Sequence, residues 1–404
     1  MAVIEPKLLA RNVSGEYIGV ITLNKEKSLN ALNLEMVQLM TKYLNEWRND
    51  QSVVAIFIEG AGGKAFCAGG DVVSMYQAMK NVREEQNLKA NEKLESPPEF
   101  LSDFFTQEYA LDYCIHTYPK PIVTWGSGIV MGGGLGLFAA SQFAIATETS
   151  KIAMPEISIG LFPDVGGSYF LNKMPAGIGL FLGLTGASFN GIDAFDVELA
   201  SHKLSSLSKQ TLLSILVSMD IVSETTVDKA LTELQTIDAA SFASVEPRLS
   251  PNFNLLSSLG TANSLREAVS VVSKIVEEKA GDKWWSRALN TLENGSPITA
   301  NLVFEQLSRS HSLSLADCFR QELSMALSCS MYGEFEEGVR ALLIDKDLAP
   351  QWLYKSRNEV PVEVIESHFT YLDVAKVGIT KNNDNSDIVH PLHRLEETYG
   401  VKHV

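Results

Sequence analysis

From Trp125 the chain reads W-G-S-G-I-V-M-G-G-G-L-G, and from Met154 it reads M-P-E-I-S-I-G-L-F-P-D-V-G-G. A glycine cluster of this density lets backbone come close to a ligand, because no Cβ stands in the way and φ > 0 is open. Two carboxylates, Glu156 and Asp164, follow shortly, each directly behind a proline (Pro155, Pro163). Each proline biases the residue before it away from helix. Backbone donors beside paired carboxylates point to chemistry at an acyl group.

With 404 residues the chain has room for two or three structural units, on a prior of ~150 residues per domain. Its 45% hydrophobic and 20% charged residues suit a globular protein with a real core. A net charge of −16 argues against nucleic-acid binding, which draws on Lys and Arg at phosphates. An anionic ligand therefore needs local help from backbone N–H groups or a few lysines. Cys67, Cys114, Cys318 and Cys329 lack metal spacing and read as reduced thiols of a cytoplasmic protein. The segment Met1–Lys25 has no apolar signal core and reads as mature protein. Pro121–Thr147 carries no charge and is long enough to cross a membrane. Its six glycines weaken any helix there, so a buried strand, a loop and a short helix are expected instead, with no membrane partner.

Patterning divides the chain near residue 205. Before it, Tyr17–Leu23 and Val53–Ile58 read as strands. Asn33 caps a helix to about Asn49, with Val37, Met40, Leu44 and Trp47 on one face. Residues 60–71 form a glycine-rich turn that opens a helix. Residues 80–99, polar and ending in Ser96-Pro97-Pro98, suggest a mobile loop or lid. Phe100–His116 reads as helix, Pro121–Trp125 as strand, 126–132 as loop and 133–141 as helix. Phe143–Thr147 and Lys151–Met154 read as strands. These units imply an α/β core over residues 1–205. From Ser206 to residue 404 helical spacing dominates, as in Leu212, Ile215, Leu216 and Met219. Lys381–Asp387 reads as solvated, and H-P-L-H-R-L-E-E-T-Y after it as an ordered terminal piece.

Two glycine-rich turns, Cys67–Asp71 and Met131–Gly136, each lie between a strand and a helix. The first N–H groups of a helix lack internal partners and sit at the positive end of its dipole. Two of them aimed at one oxygen make an oxyanion hole; the alternative is that these glycines only permit tight turns. A nucleotide-binding reading of Gly134-x-Gly136 fails on spacing, because Glu148 comes too early for the ribose acid. Glu156 and Asp164 stand on a strand end and a returning loop, among Ile157, Ile159, Leu161 and Phe162. Two half-buried carboxylates push their pKa values apart, so one can keep a proton near neutral pH. Cys67, between Phe66 and Ala68 with no histidine nearby, reads as a small buried hydrophobe. Trp284, Trp285 and Trp352 read as core anchors. No histidine pair has metal spacing.

The runs I-T-L-N-K-x-x-x-L-N-A-L, A-F-C-A-G-G-D, M-G-G-G-L-G-L, M-P-E and L-T-G, from Tyr17 to about Leu204, resemble the crotonase (enoyl-CoA hydratase/isomerase) superfamily. More narrowly, three features resemble its 3-hydroxyisobutyryl-CoA hydrolase branch. These are G-L-F-P-D-V-G-G-S-Y-F-L (160–171), Q-E-Y around Glu108, and E-G-V-R-A-L-L-I-D-K-D (337–347) with Trp352. The resemblance implies a spiral of ββα turns that binds acyl-CoA thioesters, followed by a mostly helical C-terminal region. It implies an oxyanion hole from the Gly70 and Gly133 N–H groups, Glu156 as main catalytic carboxylate and Asp164 as its partner. It places Glu108 and Gly133, with Phe66 and Ala68 of the first turn, among the substrate contacts. No metal or redox cofactor is implied, since CoA arrives as part of the substrate, and the helical half offers surface for homo-oligomer contacts. Hydratases of this group carry a second catalytic glutamate where this chain has Gly136. The expected activity is therefore thioester hydrolysis of 3-hydroxyisobutyryl-CoA or a close relative. The rivals are an enoyl-CoA hydratase/isomerase and a catalytically idle scaffold subunit.

Overall fold

The computed structural model describes residues 2–89, 92–372, 380–381 and 387–401. Strands β1 (Ile4–Ala10), β2 (Tyr17–Leu23), β3 (Val53–Gly60), β4 (Ala65–Cys67), β5 (Ile122–Gly126), β6 (Ile129–Met131), β7 (Phe143–Ala146), β8 (Lys151–Ala153), β9 (Phe189–Asn190) and β10 (His202–Lys203) divide between two sheets. One has the order β1-β2-β3-β5-β7-β10, the other β4-β6-β8-β9. In the first only β1 and β2 run antiparallel, and in the second only β8 and β9. The chain passes from the large sheet to the small one and then into helix, and it repeats this. β3 and β4 lead to α2 (Val72–Glu85) and α3 (Glu99–His116), β5 and β6 to α4 (Gly133–Ala140), and β7 and β8 to α5 (Gly167–Lys173). This is the spiral of ββα turns that the resemblance implies.

β3 and β5 are apolar on both faces because both faces of this largely parallel sheet are covered. Ile56, Ile58 and Ile122 face the main core. Their alternates Ala55, Phe57, Val123 and Trp125 pack under the helices Lys209–Ser218 and Glu224–Asp238. The helix α1 (Leu34–Asn49) begins as expected, with the Asn33 side chain accepting from the Met36 N–H at 3.0 Å. Its buried face of Met36, Val37, Met40, Leu44 and Trp47 lies on the sheet. The main core continues without a break into the C-terminal helices, where Phe319 meets Tyr109 and Tyr113. No helix among the described residues is long and apolar enough to cross a membrane.

Several expectations need correction. The loop expected at 126–132 contains β6, and the first glycine-rich turn contains β4; three-residue strands are too short to show alternation. Residues 80–85 are helix, not loop. Arg83 is buried there and donates to Lys89 O (2.9 Å), Glu92 O (2.5 Å) and Glu336 (2.8 Å). The lid expectation also touches residues 90–91, outside the described residues, as is most of the 381–387 tail. The terminal piece is ordered, with helix Leu395–Tyr399 and Arg320 donating to Leu392 O. Trp285 is a core anchor, Trp284 is only partly buried, and Trp352 is not in the core. Trp352 is half-exposed, its indole donating to Asn294 O at 2.9 Å.

Candidate active site

The loop before α1 shapes the first glycine turn. Asn30, in the left-handed region at φ 58°, donates to Ala61 O (2.9 Å) and Ala65 O (3.0 Å) and accepts from Lys25 N (3.0 Å). Leu32 then brackets the turn: its N–H donates to Gly69 O at 2.8 Å and its carbonyl accepts from Asp71 N at 2.7 Å. Both straps fall on the neighbours of Gly70. Among the described residues the Gly70 N–H donates to no protein group. In the second turn Gly132, at φ +48°, caps α4, and Gly133 is the first helical residue. The Gly133 N–H has no carbonyl below it to bond, as at any helix start. Both glycines line one cavity of about 210 Å³.

Three carboxyl groups line the same cavity: Glu156, Asp164 and Glu108, all buried. Glu156 opens a single 3-10 turn directly after β8 rather than ending the strand. An oxygen of Glu156 lies 3.2 Å from where a Cβ on Gly132 would sit, and an oxygen of Glu108 lies 2.3 Å from the corresponding point on Gly133. Only glycine at 132 and 133 leaves both carboxyls in place. Glu156 Oε2 and Glu108 Oε1 have no hydrogen-bond partner among the described residues. Asp164 does: the Tyr109 hydroxyl donates to its Oδ2 at 2.8 Å.

Burial holds protons on these groups. It pushes Asp164 up to about 7, against the pull of the Tyr109 hydrogen bond. Glu156 and Glu108 are raised too, first by burial and then by the nearby Asp164 charge. Glu156 and Asp164 thus line one cavity, both raised by burial, with the Asp164 charge acting on Glu156. Cys67 is fully buried and burial pushes its thiol up to about 12, which removes it as a nucleophile.

Of the anticipated residues, Ala68, Gly70, Glu108, Gly133, Glu156 and Asp164 meet at the cavity. Phe66 does not: it is buried in the main core and absent from the cavity wall. Sequence reading missed Tyr109, Leu342, Leu343 and Asp112. Tyr109 follows Glu108 directly. Leu342 and Leu343 reach the cavity from the run 337–347, on a π-helical turn, Arg340–Ile344. That turn is pinned by Arg340, which donates to Glu337, Asp345 and Asp347. Asp112, one helical turn past Glu108, is buried, and neither of its oxygens has a partner among the described residues. Its E-x-x-x-D spacing with Glu108 was the available signal.

Gly136 is closed to any side chain. A Cβ there would lie 2.6 Å from Val165 Cβ and 2.9 Å from Asp112 Oδ2. Val165 itself holds φ +53°, a conformation that costs a β-branched residue about 1–3 kcal/mol.

Known proteins resemble this chain over most of its length. "3-Hydroxyisobutyryl-CoA hydrolase, mitochondrial" of Xenopus tropicalis is 38% identical over 355 residues, covering 88% of this chain and 86% of that protein. The protein of the same name from Dictyostelium discoideum is 36% identical, covering 86% and 88%. Among solved structures, a carnitinyl-CoA dehydratase from Mycobacterium thermoresistibile superposes with a TM-score of 0.74 at 30% identity, covering 91% of this chain and 97% of that one. An enoyl-CoA hydratase from Rhodobacter sphaeroides 2.4.1 superposes with a TM-score of 0.75 at 29% identity, covering 92% and 98%. The sequence-family description of enoyl-CoA hydratase/isomerase matches residues 18–369, and on that match the chain belongs to the enoyl-CoA hydratase/isomerase family.

Proposed function

We propose that this protein hydrolyses the thioester of 3-hydroxyisobutyryl-CoA, or of a close 3-hydroxyacyl-CoA, to the free acid and CoA. The observation that carries this reading is the crowding at Gly136. Water addition across a double bond uses two acid/base groups, and the position that supplies the second one in hydratases has no room for a side chain here. The carboxyls that remain suit attack at the thioester carbonyl. In this reading the carbonyl oxygen sits between the Gly70 and Gly133 N–H groups, which stabilise the charge that develops on it. Either Glu156 attacks the carbonyl carbon, expels CoA thiolate and leaves an anhydride that water opens to the free acid, or it takes a proton from a water that attacks and expels the thiolate; in both routes the thiolate takes up a proton on leaving. Asp164 holds a proton and orients the water or the substrate. The names of the curated relatives support the substrate. The titles of the two solved structures favour a second reading, a hydratase or dehydratase. A panel of acyl-CoA esters decides: thiol release from 3-hydroxyisobutyryl-CoA supports hydrolysis, and efficient hydration of crotonyl-CoA without any thiol release overturns it. Four buried free cysteines fit a reducing compartment. The curated relatives are mitochondrial by name, and fractionation of cells making the full chain decides between mitochondrion and cytoplasm.

Two further results are expected. The hydrogen bond from Tyr109 stabilises ionised Asp164 and so holds its pKa down. Rate should therefore rise with pH through a limb near 7 as the carboxyl pair loses its first proton. Tyr109→Phe removes the restraint and should move that limb to higher pH by about one unit, as a hydrogen bond of about 1–1.5 kcal/mol implies. A limb that stays in place, or moves down, contradicts this role.

The second result concerns the acyl end. Glu108 is a buried cavity carboxyl with an unpartnered oxygen, not a solvated helix residue. As the hydrogen-bond partner of the substrate's 3-hydroxyl it sets specificity. Glu108→Ala should lower kcat/KM for 3-hydroxyisobutyryl-CoA about tenfold or more relative to isobutyryl-CoA, since a site built for a hydroxyl discriminates against analogues lacking it. An unchanged ratio between the two esters removes Glu108 from substrate recognition.

A further inference from the structure

Asp164 opens a turn closed by a single backbone hydrogen bond, from Gly167 N to Asp164 O at 2.8 Å. Val165 at φ +53° and Gly166 at φ +89° are consecutive left-handed residues, and α5 starts immediately after them. A β-branched residue leaves that region unless its surroundings enforce it. The enforcement comes from far along the chain. Glu322, on the helix Leu315–Tyr332, accepts from Gly166 N with Oε2 and from Ser168 N with Oε1, both at 2.8 Å. Gln306, on the helix Pro297–Ser310, donates through Nε2 to Pro163 O (2.6 Å) and Ser168 Oγ (2.8 Å). Their contacts bracket Asp164 on both sides, and both side chains are fully buried. Neither residue lines the cavity.

We infer that Glu322 and Gln306 are positioning residues for the proposed hydrolysis: the helical region beyond residue 205 clamps the Pro163–Ser168 turn and thereby aims Asp164 at the cavity. The inference rests on the catalytic reading of Asp164 given above. The two-oxygen grip of Glu322 is specific to a carboxylate, which accepts at both oxygens, whereas glutamine must turn an NH2 toward one of the backbone N–H groups. The clamp has a second effect. The conformation it imposes is the one that presses Val165 against Gly136. The same two helices therefore keep the site closed to a side chain at 136.

The test is Glu322→Gln in the full-length chain. Thiol release from 3-hydroxyisobutyryl-CoA should fall about 10–100-fold in kcat, with KM within about threefold of wild type. Introduced into Asp164→Asn, the same change should cost less than about twofold more, because residues acting as a unit are non-additive. Unchanged kcat, or an equal loss in both backgrounds, overturns the inference. Amide hydrogen exchange reads the clamp without reference to activity. Exchange at Gly166 and Ser168 should accelerate while β3 and α1 keep their protection, and unchanged exchange at both positions overturns the clamp. If the wild-type protein releases thiol from no acyl-CoA, the proposed function fails, and exchange still decides whether the clamp exists. Should Glu322→Gln not fold, Gln306→Met, which gives up the Pro163 and Ser168 contacts alone, is measured in the same two ways with the same outcomes.

Discussion

Glu156→Gln should lower kcat for thiol release by about 10³-fold or more, within the range that positioned acid–base groups supply and above it if Glu156 attacks directly. The change keeps size and shape. It also removes no protein hydrogen bond from Oε2, which has none among the described residues. The fold should therefore survive intact, and the melting temperature should hold or rise, because an amide is easier to bury than an acid that tends to ionise. Activity and stability moving in opposite directions is the signature of a group kept for chemistry. Asp164→Asn should also be severe, and the double variant little worse than the worse single one, since the two carboxyls handle one proton together. A hydroxamate formed at Glu156 when hydroxylamine is present during turnover separates direct attack from general-base catalysis. Turnover of Glu156→Gln within tenfold of wild type rules out the mechanism.

The second large effect is expected at Gly133. Proline is tolerated at the first position of a helix, where its missing N–H has no helical partner to lose. Gly133→Pro therefore deletes a donor at the cavity, and loss of one oxyanion donor typically costs ~100–1000-fold in kcat. Proline also brings a Cβ, which at this position meets Glu108 Oε1 at 2.3 Å. Gly133→Ala supplies the control: it moves the same glutamate and keeps the N–H. The alanine variant should lose mainly the preference for hydroxylated esters, and the proline variant a further ~100-fold for every ester. Circular dichroism establishes that both are folded. Equal kcat in the two variants shows that the Gly133 N–H is no donor to the transition state.

Much of the site was legible because its glycines and acids are local in sequence. Asn33, Glu156, Asp164 and the two turns announce themselves by spacing, and the Asn33 cap and the α1 face form as patterned. Three of the four strands of the small sheet went unread, because at two or three residues they carry no period. Phe66 was placed at the substrate together with Ala68, but β4 ends at Cys67, and Phe66 within it lies in the core while Ala68 beyond it lines the cavity. Tyr109, Leu342, Leu343, Gln306 and Glu322 were invisible for a different reason. The hydrogen-bond partners of Tyr109, Gln306 and Glu322 lie 55 to 156 residues away, Leu342 and Leu343 reach the cavity from still further along the chain, and nothing in a helical pattern says which buried side chain meets which turn.

The buried acids carry a consequence for the protein as a whole. The formal charge of −16 counts every carboxylate as ionised. In the folded protein Asp164 and Glu334 are pushed up to about 7, with Glu108, Asp112 and Glu156 also raised. At neutral pH the native molecule thus keeps protons that its unfolded chain has given up, and it is less anionic than its composition. Unfolding near pH 7 releases those protons to the buffer, so the apparent calorimetric enthalpy depends on the buffer's own heat of protonation. On this account these acids make the fold less stable as pH climbs from about 4, where unfolded carboxyls ionise, to about 7, where Asp164 and Glu334 do. Below about 6.5, His368 and His390, both pushed down to about 4, act in the opposite sense, because the unfolded chain takes up protons there that the folded one refuses.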